Sequence, residues 1–105
     1  MTVADKGILD EIVRRIVGAV RPEKIILFGS GARGNRDADS DWDILIVKQC
    51  EKRRQIVASV YLSLIGVGHA VDVVVATPED LERYGSVQAM ILEPALREGL
   101  VLYAA

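Results

Sequence analysis

The chain has 105 residues, half of them hydrophobic and 27% charged, with a formal net charge of −2 and a single cysteine. That is enough for one globular domain, residues 1–105, with one modest core. It excludes a disulfide framework, a cysteine-based zinc cluster and any general attraction to nucleic acid or anionic membrane, so affinity for a polyanion has to be local.

The opening stretch, MTVADKGILDEIVRRIV, mixes acidic and basic residues into its apolar pattern, unlike a signal peptide. Ile8, Ile12, Ile16 and Val20, flanked by Leu9, Val13 and Val17, form a helical stripe. Thr2 and Asp5 are spaced for a capping box at its start, and Pro22 ends it. KIILF (24–28) reads as a short buried strand punctuated by Gly29, and residues 29–40 as a loop with one helical turn. WDILIV (42–47) is apolar on both faces and predicts a central strand. A second long helix is expected over 51–65, with Ile56, Val60 and Leu64 on one side and Val57 and Tyr61 beside them.

Gly66 and Gly68 interrupt that helix, and AVDVVVA (70–76) predicts a third strand. Thr77 offers a capping hydroxyl ahead of Pro78, Glu79 and Asp80, which together mark the start of a short helix reaching about residue 84. Ser86 is placed to cap a last helix through Val87, Ile91 and Ala95, kinked by Pro94 and ended by Gly99. LVLY (100–103) predicts a short edge strand. The alternation predicts an α/β (α+β) layer on a small sheet. No run approaches the length needed to cross a bilayer, and with the lone Cys50 this predicts a cytoplasmic protein.

Against that pattern the acids of SDWDILIV are out of place. Strand side chains alternate, so Asp41 and Asp43 share one face while Trp42 takes the other. Asp72 interrupts the third strand. If the second and third strands adjoin, Asp72 comes opposite the pair, with β-carbons ~5 Å apart. Three carboxylates gathered there repel one another and lose hydration, which raises their pKa values unless a cation compensates. Hard oxygen ligands of this kind suit Mg²⁺ or Mn²⁺. Taken singly, Asp41 also reads as a turn residue within DADSD, and Asp72 as an exposed strand position.

FGSGARG follows the first strand. Gly29 can adopt backbone angles closed to other residues. Ser30, opening a short helical turn, would present a hydroxyl and free backbone N–H groups to an anion. Arg33 and Arg36 add positive charge nearby. The stretch is neither a P-loop nor a dinucleotide fingerprint, and it also reads as a plain tight turn. Its place shortly ahead of the acid pair is what gives it weight.

GSGARG, then SDWDILIV, then VDVVV resembles the minimal nucleotidyltransferases of the DNA polymerase β-like superfamily, whose pattern is GS-x-A-R-G, S-D-x-D and a later acid. The likeness runs on to the ending ALREGLVLY. It implies the nucleotidyltransferase fold, a small mixed sheet of three to four strands flanked by helices. By the resemblance, Gly29 and Ser30 grip the β- and γ-phosphates of a nucleoside triphosphate, and Arg33 takes the family's arginine position. Asp41 and Asp43 hold two Mg²⁺ ions, with Mn²⁺ as a substitute, and Asp72 ligates one of them and helps activate an incoming hydroxyl. The implied reaction is an in-line displacement at the α-phosphate. It moves a nucleoside monophosphate, AMP from ATP, onto an acceptor hydroxyl. Trp42 departs from the pattern, since an aliphatic residue is usual between the two aspartates.

Relatives that modify antibiotics or RNA ends carry extra domains for the acceptor, and the elements above are all used by the core. A partner is therefore expected to supply the rest. The resemblance points to a small helical protein of the higher eukaryote and prokaryote nucleotide-binding (HEPN) class, with this chain as the antitoxin that adds AMP to it. Two alternatives stay open: a weak or inactive module that neutralises a partner by contact alone, and a stand-alone transferase for a small molecule such as an antibiotic. Self-association stays open as well, because so hydrophobic a small chain is expected to expose apolar area. His69 reads as a loop residue without a role and Cys50 as structural. Tyr61 and Tyr103 read as packing residues, and EKRR (51–54) as a solvated helix end whose basic residues oppose the helix dipole.

Overall fold

The computed structural model describes residues 2–32, 41–82 and 97–105. In chain order they form α1 (Val3–Val20), β1 (Lys24–Phe28), the one-turn α2 (Gly29–Ala32), β2 (Trp42–Val47), α3 (Arg53–Ser63), β3 (Val71–Ala76), α4 (Pro78–Glu82) and β4 (Leu100–Ala104). β1 and β2 have the expected bounds, and β3 begins one residue later than predicted. The predicted C-terminal helix lies mostly outside the described residues, although Arg97 and Glu98 are helical and Gly99 follows them as expected.

α1 starts where local chemistry says it should. The Thr2 hydroxyl accepts the Asp5 amide proton at 3.0 Å, and the Asp5 carboxylate accepts the Thr2 amide at 3.2 Å, a reciprocal capping box. The buried line is Leu9, Ile12, Ile16 and Val20, with Ile8, Val13 and Val17 packed at its margins. The stripe is thus centred on Leu9 rather than Ile8. α1 closes on Arg21, a left-handed cap with φ 48° whose N–H donates to the Val17 carbonyl at 3.1 Å.

Arg15 reaches from α1 to the end of α3 and donates to the carbonyls of Ser63 (3.3 Å) and Ile65 (2.8 Å). α3 has no basic residue in its own last turn, so a neighbour supplies the positive charge that its carbonyl end favours. Glu11 orients that arginine and also binds Arg14, and these two hydrogen-bonded guanidinium groups hold the Glu11 carboxyl down to about 2.

The sheet order is β3-β2-β1-β4, with β1 antiparallel to both β2 and β4 and β2 parallel to β3. The parallel pair requires a crossover, which α3 provides. β2 and β1 are the inner strands, as the two-sided apolar character of WDILIV predicts. One face carries Ile25, Leu27, Trp42, Ile44, Ile46 and Val75 against the apolar sides of α1 and α3, and this is the main core. The other face carries a smaller cluster of Ile26, Leu45 and Ala76, with Phe28, Val74 and Leu81 of α4 packed on it. Among the described residues no helix is long and apolar enough to cross a membrane.

The basic start of α3 is not merely solvated. Arg53 donates to the Asp80 carboxylate at 2.6 Å, and the same carboxylate accepts the Thr77 amide at 2.9 Å. The Thr77 hydroxyl in turn accepts the Asp80 amide at 3.2 Å, so α4 opens on a capping box whose acid also anchors α3. Asp80 is buried. Asp80→Ala is expected to remove about 1–3 kcal/mol, because it deletes the cap and strips a partly buried guanidinium of its partner. Thermal unfolding should show a fall of roughly 5–15 °C; an unchanged midpoint would mean that the pair contributes nothing.

Candidate active site

The parallel register of β2 and β3 sets Asp43 directly beside Asp72, and the antiparallel register of β1 and β2 sets Phe28 on the other side of Asp43. Alternation along the strands decides the face. Trp42 and Ile44 enter the main core under the helices, so Asp43 between them points to the opposite face, toward the side of Leu45. Val71 and Val73 likewise pack toward the helices, leaving Asp72 on the same face as Asp43. Asp41 lies just before β2 and is exposed, and Asp72 is exposed as well.

Asp43 is the half-buried member of the group. Its pKa lies above the ordinary carboxylate range, first because burial penalises the charged form, then because of the charges of Asp72 and Asp41. The three acids predicted from the sequence are therefore electrostatic neighbours, gathered at the N-terminal ends of β2 and β3.

Gly29 accounts for the approach of α2. Its φ is +70°, and a β-carbon built there would collide with Oδ2 of Asp43. The bare backbone at the end of β1 therefore lies directly against the half-buried carboxylate, and only glycine combines that angle with that contact. Gly31 serves the next turn. A β-carbon on it would stand 3.2 Å from Cε3 and Cζ3 of Trp42 and 3.5 Å from Cδ1 of Leu27. α2 thus lies on the indole, which is 1% exposed. The unusual tryptophan between the acids is a packing residue on the face away from them.

Ser30 is the second residue of α2. Arg33 and Arg36, expected to add positive charge, lie outside the described residues. Among the described residues no three His, Cys, Asp or Glu side chains close into a ready-made ion site. What is present is an open pair in register with a third acid beside it. Mg²⁺ is usually held by one or two carboxylates, with water and substrate phosphates completing its shell, so this donor set fits it.

A groove of about 580 Å³ lined by Cys50, Glu51, Arg53, Arg54, Val57 and Ala58 lies beyond the opposite end of β2 from the acids. Its Arg53 is already turned to Asp80. His69 is exposed in the turn before β3, in keeping with a loop residue. Tyr103 packs against the main core as expected.

Tyr61 does not behave as a packing residue. It is 43% exposed, and its hydroxyl accepts the amide proton of Val73 at 3.1 Å. Neither this bond nor the Arg53–Asp80 pair had a signal in the sequence, because each joins segments whose proximity depends on the crossover.

No curated protein matches the chain. Among solved structures the chain is similar to a candidate nucleotidyltransferase from Sulfolobus solfataricus, with 21% identity and a TM-score of 0.64 over 94% of this chain and 79% of that one. It is also similar to a toxin–antitoxin protein solved with AMP-PNP, with 20% identity and a TM-score of 0.64 over 92% and 73% of the two chains. At these identities the likeness is one of fold. The family model described as "Nucleotidyltransferase domain" matches residues 8–101, nearly the whole chain. With that match, the four-stranded mixed sheet and the clustered acids in hand, the chain belongs to the nucleotidyltransferase domain family, as a minimal member and a transferase.

Proposed function

We propose that this chain transfers a nucleoside monophosphate, AMP from ATP, onto an acceptor hydroxyl. The observation that carries the reading is the in-register pairing of Asp43 and Asp72 on adjoining parallel strands, with the Gly29 backbone laid against Asp43. Nothing in an ordinary sheet favours two adjacent carboxylates; they cost hydration and repel. The raised pKa of Asp43 is the signature of that unrelieved cost. The arrangement becomes favourable once divalent cations are present.

Asp41, Asp43 and Asp72 would hold Mg²⁺ or Mn²⁺, which when bound stabilises the charge that develops on the attacking and leaving oxygens of a phosphoryl displacement. The residues themselves have separable tasks. Asp72, the exposed residue of β3, would be open to an incoming hydroxyl and would draw its proton. Gly29 lets the turn after β1 come close to the acids, where Ser30, Arg33 and the backbone of that turn would bind the β- and γ-phosphates. The acceptor oxygen bonds to the α-phosphorus, the bond to the bridging oxygen breaks, and pyrophosphate leaves.

The likeness to a toxin–antitoxin protein solved with AMP-PNP supports ATP as donor and a protein as partner. We read this chain as the antitoxin of such a pair, modifying a small helical partner of the HEPN class. The test is incubation of the purified chain with ATP labelled at the α-phosphate, Mg²⁺ and the product of the neighbouring gene. Label should pass to the partner and stay away from free small molecules. Neutralisation of the partner with no label transferred would favour contact alone, and labelling of an antibiotic without any partner would favour the stand-alone enzyme.

A further inference from the structure

We infer that Tyr61 is a positioning residue for the acid pair, acting through the backbone of the edge strand β3; the inference rests on the reading of Asp43 and Asp72 as cation ligands. Among the described residues β3 pairs with β2 alone, and none of their strands holds its outer side. The Val73 amide is satisfied instead by the Tyr61 hydroxyl at 3.1 Å. The anchored amide belongs to the peptide unit that joins Asp72 to Val73. Its restraint is therefore applied directly at the carboxylate's own backbone.

The geometry makes the tether effective from across the sheet. Tyr61 rises from α3, on the face opposite the acids, where Val73 also packs. Its ring is partly exposed, and its hydroxyl meets the strand at the Val73 amide. Asp43, by contrast, sits on an inner strand bonded on both sides and backed by Gly29. Of the two in-register acids, Asp72 is the one whose position depends on a side-chain tether. A free edge amide would be satisfied by water equally well, but water exchanges and leaves the strand free to shift, whereas a tyrosine on a packed helix does not. The same bond occupies an edge donor that another strand could otherwise use.

The test compares the full chain with Tyr61→Phe, which keeps the ring and removes the hydroxyl. Leu62→Ala, next to it on α3 and 67% exposed, is the control. Three readouts separate positioning from general stability: the Mn²⁺ dissociation constant from electron paramagnetic resonance, the exchange rate of the Val73 amide, and the ATP concentration at half-maximal transfer. In Tyr61→Phe the Mn²⁺ dissociation constant should rise about 10-fold, the size of effect typical of groups that orient metal ligands. Val73 exchange should speed up by a similar factor, while half-saturation by ATP stays within about twofold. Leu62→Ala should match the wild type in all three. Unchanged Mn²⁺ affinity in Tyr61→Phe, with tight binding by the wild type, would overturn this inference alone. A wild type that binds no Mn²⁺ would overturn it together with the reading beneath it.

Discussion

Asp43→Asn is expected to cut nucleotidyl transfer by about 100-fold or more while making the ligand-free protein slightly more stable. The two effects have one cause. Asp43 is held above its ordinary pKa by burial and by the charges of Asp72 and Asp41, so its ionised form is a cost to the folded state. For an acid whose folded pKa is raised, the native state binds more protons than the unfolded state in the window between the ordinary value and the raised one. Stability therefore falls as pH rises through that window, and the deficit persists at neutral pH. The amide removes the deficit. The thermal midpoint at pH 7 should rise by a small amount, on the order of 1–3 °C once screening of a half-exposed carboxylate is allowed for.

That gain should shrink as the pH falls below the raised pKa and vanish below the ordinary value, where the carboxyl is protonated in the folded and unfolded states alike. Mg²⁺ or Mn²⁺ should reverse the ranking at neutral pH, since the wild type gains stability from binding and the variant loses a ligand. Scanning calorimetry of both proteins at several pH values, with and without Mn²⁺, checks all of this. A midpoint that drops in the variant without metal would show that Asp43 is a structural acid, and the argument for a strained cation site would be lost.

Gly29→Ala carries the second large effect. Alanine at φ +70° costs about 1–2 kcal/mol in backbone strain alone. The added methyl also meets Oδ2 of Asp43, so either α2 or the carboxylate has to move. A thermal midpoint lower by roughly 5–15 °C is expected, with transfer reduced by about 100-fold, because displacement of a reacting group by ~1 Å has that scale of consequence. The two contributions can be separated. In an Asp43→Ala background the methyl has no carboxylate to strike, so the stability cost of Gly29→Ala should shrink to the backbone part. A double-mutant cycle measures the difference as a coupling between the two residues. Strict additivity would mean that the glycine is required for its angle only, and that its contact with the acid is incidental.

Much of the secondary structure was legible because its causes are local. Thr2 with Asp5 and Thr77 with Asp80 are capping pairs three residues apart, and both form as their spacing implies. KIILF and WDILIV are strands with the bounds their composition suggested, and the apolar character of both faces of WDILIV anticipated an inner position in the sheet. Less exact were the ends of α3, predicted over 51–65 and found over Arg53–Ser63, with Arg53 at its start bonded to Asp80 and the Ser63 and Ile65 carbonyls at its finish bonded to Arg15 of α1. Tyr61, given to the core by its periodicity, turned out to serve the sheet edge.

The sequence by itself determined which residues could carry chemistry: two acids at alternate positions entering a strand, a third within another, and a glycine–serine turn ahead of them. Period-two alternation and glycine's freedom are properties of short segments, so they can be read without a fold. Only the tertiary structure decided that these parts meet. The parallel pairing of β2 with β3, in the one register that sets Asp43 beside Asp72, depends on the length and packing of the α3 crossover. The contact of Gly29 with Asp43 depends on the antiparallel register of β1 with β2. A shift of either register by a single residue would turn the acids toward the core, and that choice is made by burying Trp42, Ile44 and Ile46 under two helices.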